Sequence, residues 1–440
     1  MKSKCRYAVV GGGAAGCTLA WHLSRNGHEV VVYEREKGLG GLASAIPFGR
    51  TRLDRFYHHI FTSDDRIQSY IQLLGLASDL HWRSSSVGFE YKGELYPFTT
   101  PKDLLTFRPL SWLSRLRVGW TVLKAQRIKS YEPLEKITAE EWIVREMGEQ
   151  AYRVLWEPLL RSKFGDRYRE VSAVWFWGKV KLRGGTRSKS GAGECLGYLK
   201  GGWGRIFDCM GEQIAKQGGI FRFHEIVKAI EPSGKGLIVR TRAGTDEFDR
   251  VIFTPSLATF AETVPSLPEE VKAKYGAIPF QANITAALGL ERSISPYYWL
   301  NITAPESPFV AVIEHSRLFD DPDYGELTPV YLSRYLDREH PMFKTRPSFL
   351  RDMFAAQLER IFPNFRREWI REFTLSKAHF AQPVVGLLYS ANRPAFDTPL
   401  PGLYLCTMAQ IYPEDRGMNY SMKIAEELLR QLGEWNRTPA

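Results

Sequence analysis

The sequence predicts an α/β fold, and three segments of the chain support that prediction. Residues 7–34 contain an apolar strand, a glycine-rich turn, a helical pattern and a second strand. Residues 201–255 begin with a helical pattern and continue with short strands, and residues 402–419 contain a strand, a loop and the start of a helix. Alternating strands and helices indicate a parallel sheet covered by helices. Because the segments are far apart in the chain, the domain they build is discontinuous.

The first segment has the spacing of a Rossmann-like dinucleotide site. Its strand leads into a turn formed by Gly11, Gly13, Ala14, Ala15 and Gly16. In this G-x-G-x-x-G pattern, Gly11 permits the tight turn, Gly13 lets the backbone approach a pyrophosphate, and Gly16 lets helix and strand pack closely. The following helix N-terminus offers N–H groups and a partial positive charge to phosphates. Glu34 ends the second strand, where it is placed to accept hydrogen bonds from ribose hydroxyls.

The segment after Glu34 identifies the dinucleotide through a resemblance. A Gly-Gly pair, Gly40 and Gly41, follows the acid at short range. This arrangement resembles the flavoproteins grouped with amine oxidases, protoporphyrinogen oxidases, phytoene desaturases and UDP-galactopyranose mutases. In those families the glycine pair passes close to FAD, where a side chain would clash. The resemblance therefore implies FAD as the cofactor, with further contacts from Arg35 and Leu42.

Two later segments fit the same resemblance. Val227 matches the position whose backbone holds the adenine end of FAD, and the helix beginning near Gly417 would aim its N-terminus at the flavin ring. The closing strand of the family usually ends in Gly-Asp, whereas this chain has Thr407-Met408. Polar contacts near the C-terminus must therefore be supplied in another way. The cofactor contacts implied here are Val227, Met408, Gly417, Met418 and Asn419.

The remaining chain is expected to build the substrate-facing parts. The predicted FAD-binding domain comprises residues 1–75, 196–262 and 385–440. The predicted mixed-sheet substrate domain comprises residues 76–101 and 263–384, and residues 102–195 form a helical insert. A hairpin turning at Lys92-Gly93 begins the substrate domain, because a Gly-containing pair separates two strand-like runs.

Composition limits the function classes. Hydrophobic residues make up 44% and charged residues 25% of the 440-residue chain, which is typical of globular proteins. Neither a long apolar run nor a signal-like stretch is predicted. The five scattered cysteines lack metal-ligand spacing and indicate a reducing compartment, so we expect a cytoplasmic protein without a metal. No nucleic-acid module accompanies the net charge of +10, so no such partner is predicted, and the oligomeric state stays open.

Residues 111–129 are one candidate partner surface for this positive charge. Trp112, Leu116, Trp120, Leu123 share one helical face, and Arg117, Lys124, Arg127 occupy another. A basic amphipathic helix with tryptophans can lie on an anionic membrane, which would make the protein membrane-peripheral. An ordinary helix would bury the same stripe in the core, and the sequence favours this interpretation. A second basic stretch, residues 179–193, is interpreted as a solvated loop that could gate an anionic substrate.

The chemistry is expected where the flavin ring meets the second domain. In many relatives the loop matching residues 54–61 brings a histidine near the isoalloxazine. An imidazole of His58 or His59 could stabilise reduced flavin or move a proton near neutral pH. The alternative is a histidine pair hydrogen-bonded to the backbone, and the sequence does not rank the two residues. Tyr57 is a substrate-pocket candidate that packing also explains, and Arg416 could bind an anionic substrate or cap its loop.

Further substrate candidates lie at strand ends, which commonly line pockets in α/β domains. They are Glu314, His315, Arg334 and Tyr335, with an exposed turn as the alternative. Arg161 lies one helical turn from Glu157, so a structural ion pair is favoured over a substrate contact.

The resemblance implies an FAD-dependent oxidoreductase in which hydride passes from a C–H bond of a small-molecule substrate to flavin N5. The lysine found near flavin in many amine oxidases is not identifiable, so amines are not favoured over C–C desaturation. An alternative is a flavin-dependent sugar isomerase, because residues 59–61 are similar to the His-Ile-Phe segment of UDP-galactopyranose mutases. Against it, residues 56–58 replace that family's Tyr-Gly-Pro. A flavin-binding protein without catalysis is the third hypothesis.

Overall fold

The computed structural model describes residues 4–185 and 194–435, with side chains of the first range described as far as Lys181. The basic stretch at residues 179–193 therefore lies largely outside the described residues. In chain order the strands are β1 Arg6–Val10, β2 Glu29–Glu34, β3 Ala45–Phe48, β4 Thr51–Asp54, β5 Ile60–Phe61, β6 Leu80–Ser84, β7 Val87–Tyr91, β8 Glu94–Pro97, β9 Cys195–Leu199, β10 Ile220–Phe223, β11 Ala229–Pro232, β12 Leu237–Arg240, β13 Thr245–Phe248, β14 Arg250–Phe253, β15 Phe280–Leu290, β16 Trp299–Ile302, β17 Ala311–Glu314, β18 Thr328–Leu336, β19 Ile370–Pro383 and β20 Leu403–Leu405. The α-helices are α1 Ala14–Arg25, α2 Asp65–Leu73, α3 Pro101–Thr106, α4 Trp112–Arg127, α5 Ala139–Met147, α6 Glu149–Ala151, α7 Glu157–Phe164, α8 Ala173–Gly185, α9 Gly204–Lys216, α10 Leu257–Thr263, α11 Glu269–Gly276, α12 Pro347–Ile361, α13 Tyr389–Asn392 and α14 Met418–Gln431.

A parallel sheet in the order β10-β2-β1-β14-β20 unites the three predicted segments of the chain. Its central strand β1 is almost fully buried, because helices cover the sheet and α1 packs against both α9 and α14. The α/β class and the discontinuous Rossmann-like arrangement are thereby confirmed. The strand predicted at residues 227–230 begins two residues later, as β11, and pairs with β12 in a separate antiparallel sheet.

A mixed sheet in the order β19-β15-β18-β17-β16-β7-β8 forms the second layer, with β16 and β7 as its parallel pair. The predicted hairpin turns at Lys92 and Gly93, which have φ of 55° and 84° and join β7 to β8. Strand β15 is buried along its whole length. One of its faces packs on α12 through Ile284 and Leu288, so its other face is available to line a site.

The helical insert is present, but one of its helices faces the opposite way from the favoured prediction. The inward face of α4 consists of Ser114, Val118, Thr121 and Ala125. Its large apolar side chains, which were expected in the core, point outward instead: Trp112, Leu113, Leu116, Trp120 and Leu123 are all exposed. The core interpretation is therefore wrong, because the small side chains of α4 make the close helix contacts. Within the described ranges, no helix is long and apolar enough to cross a membrane.

Candidate active site

The glycine turn after β1 has the strained and crowded geometry that its sequence predicts. Gly11 has a φ of +94°, which disfavours any residue with a side chain. A Cβ on Gly16 would stand 1.9 Å from the carbonyl oxygen of Gly11, so only glycine lets α1 approach the strand this closely. The turn is fastened by the hydrogen bond that Gly11 N donates to Tyr33 O at 2.8 Å.

Gly13 occupies the open side of the same turn. A Cβ on this residue would have no described atom within 4 Å, so the space beside its backbone is empty. Gly40 closes the opposite wall by donating its N–H to Gly12 O at 2.8 Å, and a Cβ on Gly41 would lie 3.2 Å from Gly13 Cα. Helix α1 starts at this opening, and residues 14–17 contain no acidic side chain. The arrangement is a cradle suited to a pyrophosphate.

Glu34 is buried at the end of β2. Its carboxylate accepts hydrogen bonds from Gly12 N at 2.7 Å and Glu36 N at 2.8 Å, which joins the glycine turn to the following loop. The backbone of Glu225 donates to Glu34 O at 3.1 Å and brings the nearby Val227 alongside. Arg35 is a surface residue whose guanidinium lies 3.7 Å from Glu36. Ribose and adenine contacts here stay predictions.

Of the C-terminal residues that the resemblance implies as FAD contacts, some remain available to the cofactor and one has a structural role. Helix α14 begins directly after Gly417, and its first turn, residues 418–421, contains no acidic residue to neutralise the helix N-terminus. Asn419 is committed elsewhere, because its Oδ1 accepts from Arg66 N at 2.9 Å and Ile67 N at 3.2 Å and so caps α2. The side chain of Asn419 is thus structural. Met408 begins a short 3₁₀ turn that ends at Gln410.

The loop after the glycine pair reaches the mixed sheet. Leu42 packs with Phe56 and Tyr335 in one small apolar cluster. The Tyr335 hydroxyl accepts a hydrogen bond from Arg416 Nη2 at 2.7 Å. Beside it, the Tyr57 ring lies edge-on to Trp299, with 5.1 Å between ring centroids. Predicted cofactor and substrate residues therefore meet at one place.

A cluster of charges borders this place. The Asp415 carboxylate lies 3.1 Å from Lys163 Nζ and 2.5 Å from Lys179 Nζ, and it accepts from Gln382 Nε2 at 3.1 Å. Burial alone would raise the pKa of Asp415, but the charges of Lys163, Lys179 and Arg416 hold that pKa well below its usual range. Asp415 is therefore ionised and interacts with three cationic side chains, and the nearby Asp64 also lies in the field of Lys179. The two lysines come from α7 and α8 of the insert.

The structure distinguishes the two histidines. His59 Nδ1 lies 2.9 Å from the Tyr298 hydroxyl in a hydrogen bond. Burial, followed by the charge of Arg416, lowers the pKa of His58 to about 4 despite a hydrogen bond to the Phe56 backbone. His58 is therefore neutral near pH 7 and is the histidine beside Arg416. The alternative hypothesis of a histidine bonded to the backbone therefore applies to His58 through its bond to the Phe56 backbone, whereas its Nδ1 has no partner among the described residues.

Several buried polar atoms near this cluster have no hydrogen-bond partner among the described residues. They are His58 Nδ1, Arg416 Nε, Gln281 Oε1 and Gln382 Oε1. Gln281 and Gln382 are directly opposite each other on β15 and β19. Buried polar groups are nearly always paired, so such a concentration indicates a place for a ligand. Together with the glycine cradle, these atoms fit a dinucleotide that runs from β1 to the mixed sheet.

Three predicted substrate residues have other hydrogen-bond or ion-pair partners, and a fourth, His315, is held by ring packing, with its Nε2 unpaired among the described residues. The exposed-turn alternative is wrong for Glu314 and His315, which are 0% and 2% exposed. Glu314 accepts from Ser295 N at 2.7 Å and from further groups of that loop, so its role is structural. His315 packs against Tyr198 at 4.3 Å, and burial lowers its pKa to about 3.

Arg334 and Arg161 are the other two. Arg334 donates to Ser307 O at 2.9 Å, because alternate residues of β18 point to opposite faces and only Tyr335 faces Arg416. Arg161 forms the predicted ion pair with Glu157, at 3.0 Å, which confirms the structural interpretation.

Sequence reasoning missed Lys163, Gln281, Gln382 and Asp415, and it named Lys179 only as the start of a basic stretch that could gate an anionic substrate. The signal available for Asp415 was its position beside Arg416. The lysines lie on amphipathic helices and the glutamines on long strands, where nothing local separates them from ordinary surface or core residues.

Residues 14–413 match the family model described as flavin containing amine oxidoreductase, and the chain belongs to this family. FAD is the cofactor of this family, and the glycine cradle and the unpaired polar atoms provide room for it. When bound, FAD supplies a two-electron acceptor at its ring.

Individual relatives agree with this class. Flavin-containing amine oxidase B of Cavia porcellus is 28% identical over 263 residues, covering 55% of this chain and 48% of that protein. The chain thus spans about half the length of the amine oxidase it matches. A candidate protoporphyrinogen oxidase of Exiguobacterium sp. 255-15 has a TM-score of 0.79 at 16% identity, with 98% and 99% of the two chains covered. Reduced UDP-galactopyranose mutase has a TM-score of 0.75 at 14% identity, with 99% and 97% covered. At these identities the two structures show the fold alone.

Proposed function

We propose that the protein removes hydride from a C–H bond of a small molecule that carries an anionic group, with flavin N5 as the acceptor. The observation that carries this proposal is the charge balance beside Tyr335. Arg416, Lys163 and Lys179 contribute three positive charges, and Asp415 is the carboxylate among them.

This balance disfavours a protonated amine as the substrate. Asp415 is already engaged by Lys163, Lys179 and Gln382, so it has little capacity left to bind an ammonium group. An ammonium ion would also be repelled by the Arg416 guanidinium in a poorly solvated site, where Coulomb interactions are strong. A carboxylate would instead gain a charge-assisted hydrogen bond from Arg416. The Nε atom of Arg416 has no partner among the described residues and is suited to that contact.

The neighbouring side chains have distinct proposed roles. Tyr57 and Trp299, packed edge to face, exclude water from the reacting C–H bond. Tyr335 fixes the Arg416 guanidinium by accepting its Nη2 hydrogen bond. His58, neutral with an unpartnered Nδ1, holds a hydrogen bond at its ring and carries no charge. The hydride leaves with its electrons, so the substrate must also release one proton from the atom next to the reacting carbon, and this proton passes to water.

The test begins with native mass spectrometry of the gently purified protein, which records every bound small molecule. Anaerobic bleaching of the flavin absorbance is then measured with a panel that pairs each carboxylate with the amine of the same carbon skeleton. Carboxylates should bleach the flavin, and Arg416→Gln should raise their KM by about tenfold or more. Arg161→Gln is the matched control and should leave KM unchanged. Faster bleaching by amines in the wild-type protein would overturn the proposal.

A second candidate rests on the same cations. A diphosphate would also suit Arg416, Lys163 and Lys179, and the fold matches that of UDP-galactopyranose mutase. We therefore include a sugar-isomerase assay with UDP-galactopyranose and prereduced flavin. Turnover without net oxidation would favour the isomerase, whereas substrate-driven bleaching of oxidised flavin favours the oxidoreductase. A flavin that no small molecule can reach would indicate the non-catalytic hypothesis.

A further inference from the structure

The solvent face of α4 carries a row of large apolar side chains. Trp112, Leu113 and Trp120 are 59%, 67% and 63% exposed, and Leu116 and Leu123 lie among them. Leu105 of α3, also exposed, is held next to this row because Arg115 Nη1 donates to its carbonyl at 2.7 Å. We call these six residues the apolar stripe. Monomeric proteins rarely leave a contiguous apolar surface of this kind without a use for it.

The apolar stripe is not a misplaced core face. The opposite side of α4 is packed, with Val118 and Ala125 buried and Thr121 Oγ1 donating to Glu146 O of α5 at 3.3 Å. Trp177 of α8 donates to Ala125 O at 2.9 Å and fixes that side against the insert. Rotating the helix to bury the stripe would break these contacts. The tryptophans therefore face solvent because the rest of the insert requires it.

The rim of the apolar stripe is cationic. Residues 112–127 contain no aspartate or glutamate. Arg108, Arg127 and Lys129 are exposed, and none of them forms an ion pair within the described part of the chain. Lys124 alone on this helix pairs with a described carboxylate, that of Glu146 at 2.6 Å. The stripe is apolar and contains tryptophans, and its rim is positively charged. It therefore matches a surface with an apolar interior and an anionic boundary.

We propose that the apolar stripe docks on a bilayer that contains anionic phospholipid. The 16 residues of α4 lie in the plane of the interface, with the two indoles at headgroup level and the stripe leucines in the acyl boundary. The basic rim adds attraction to the negative headgroups. A second copy of this chain is a poorer occupant, because its α4 contains no acidic residue that could neutralise the basic residues of the first copy's α4.

The experiment is vesicle sedimentation with the FAD-loaded, full-length protein. Vesicles of phosphatidylcholine with phosphatidylglycerol should carry the protein down, and vesicles of phosphatidylcholine alone should bind at least about tenfold less. Trp112→Ser with Trp120→Ser should reduce binding by about tenfold or more. Arg127→Gln with Lys129→Gln should reduce binding to the mixed vesicles by about fivefold per cation. All four positions are exposed, so the variants keep their fold and FAD content.

Phe349→Ser is the matched control. Phe349 is 63% exposed on α12, far from the stripe in the chain, and its replacement should leave vesicle binding unchanged. The proposal is overturned if the wild-type protein ignores both vesicle types, or if Phe349→Ser loses binding as much as the tryptophan variant. It is also overturned if light scattering shows a dimer that becomes a monomer in the tryptophan variant while vesicle binding persists.

Discussion

The two ends of the cofactor region are built in different ways. At the nucleotide end, residues 11–16 act through their backbone and form one continuous segment of the chain. At the reacting end, Arg416, Tyr335 and Lys163 come from three distant parts of the chain and act through side-chain atoms. The first end binds a constant part of the cofactor, whereas the second must suit one particular substrate.

This difference separates two kinds of fragility. A cradle made of backbone atoms loses its ligand when a side chain of any type occupies the space. A cluster of charges is destabilised when one member is removed, because the remaining charges lose part of their electrostatic neutralisation. Substitutions at the nucleotide end should therefore change FAD content or folding, and substitutions at the reacting end should change stability and kinetics while FAD stays bound.

The largest expected effects distinguish two glycines of the same turn. In Gly16→Ala the new Cβ meets a backbone oxygen at 1.9 Å, so the helix must move and stability should fall by more than about 3 kcal/mol. In Gly13→Val the new Cβ has no described atom within 4 Å, so we expect the fold to persist while FAD is lost. Thermal unfolding and the flavin-to-protein absorbance ratio measure both outcomes.

Gly276→Ala is the control for this pair, because its Cβ has open space and the residue lies far from β1 in the chain. It should retain both stability and FAD. Normal FAD content in folded Gly13→Val protein would show that the cradle does not hold the pyrophosphate.

The same contrast explains how much the sequence could predict. The glycine turn and β1 were predictable because a local pattern determines them, and the hairpin at Lys92 followed from its turn residues. The strand β19 and the glutamine Gln382 on it were not, because its pairing with β15 depends on contacts about 90 residues apart.

The orientation of α4 shows a second kind of limit. Both of its faces contain apolar residues, so periodicity could not tell which face was inward. The packing of Trp177 against Ala125 decides the orientation, and that contact joins two different helices. Tryptophan size favoured a buried stripe, but small residues allowed the closer helix contact.

Asp415→Asn should cause the next largest loss of stability. Removing the carboxylate takes one ion-pair partner from each of Lys163 and Lys179, and we expect a loss of about 2–3 kcal/mol at pH 7 because both lysines retain some solvent contact. The folded-state pKa of Asp415 lies below that of an unfolded carboxyl, so its stabilising contribution is full above about pH 4 and is lost as the pH falls toward the folded pKa.

Thermal unfolding of the wild-type protein and the variant between pH 3 and pH 7 checks this expectation. The difference in stability between the wild-type protein and Asp415→Asn should become smaller below about pH 4. Asp352→Asn, on the exposed side of α12, is the control and should follow the wild-type curve throughout. A constant difference across the whole range would mean that Asp415 is not the compensating charge.

His58 should affect the reaction more than His59. His58→Ala removes the imidazole beside Arg416 and should slow flavin reduction by about tenfold with FAD still bound, whereas His59→Ala loses mainly the Tyr298 contact. Because the pKa of His58 is about 4, the wild-type rate should have no step between pH 5.5 and 7.5 that His58→Ala abolishes. Stopped-flow reduction across that range measures this, and a step near pH 6.5 that His58→Ala removes would contradict the neutral assignment.

The smallest effect is expected at Arg161. This residue has the same positive charge as Arg416, but it lies in a more exposed environment. Its side chain is 54% exposed, and the Glu157 carboxylate keeps Arg153 at 3.2 Å and the Tyr168 hydroxyl when Arg161 is replaced. Arg161→Gln should therefore cost at most about 1 kcal/mol. FAD content and reduction kinetics should not change. A rise in KM comparable to that of Arg416→Gln would instead place Arg161 at the substrate, since loss of a screened ion pair alone would not alter binding.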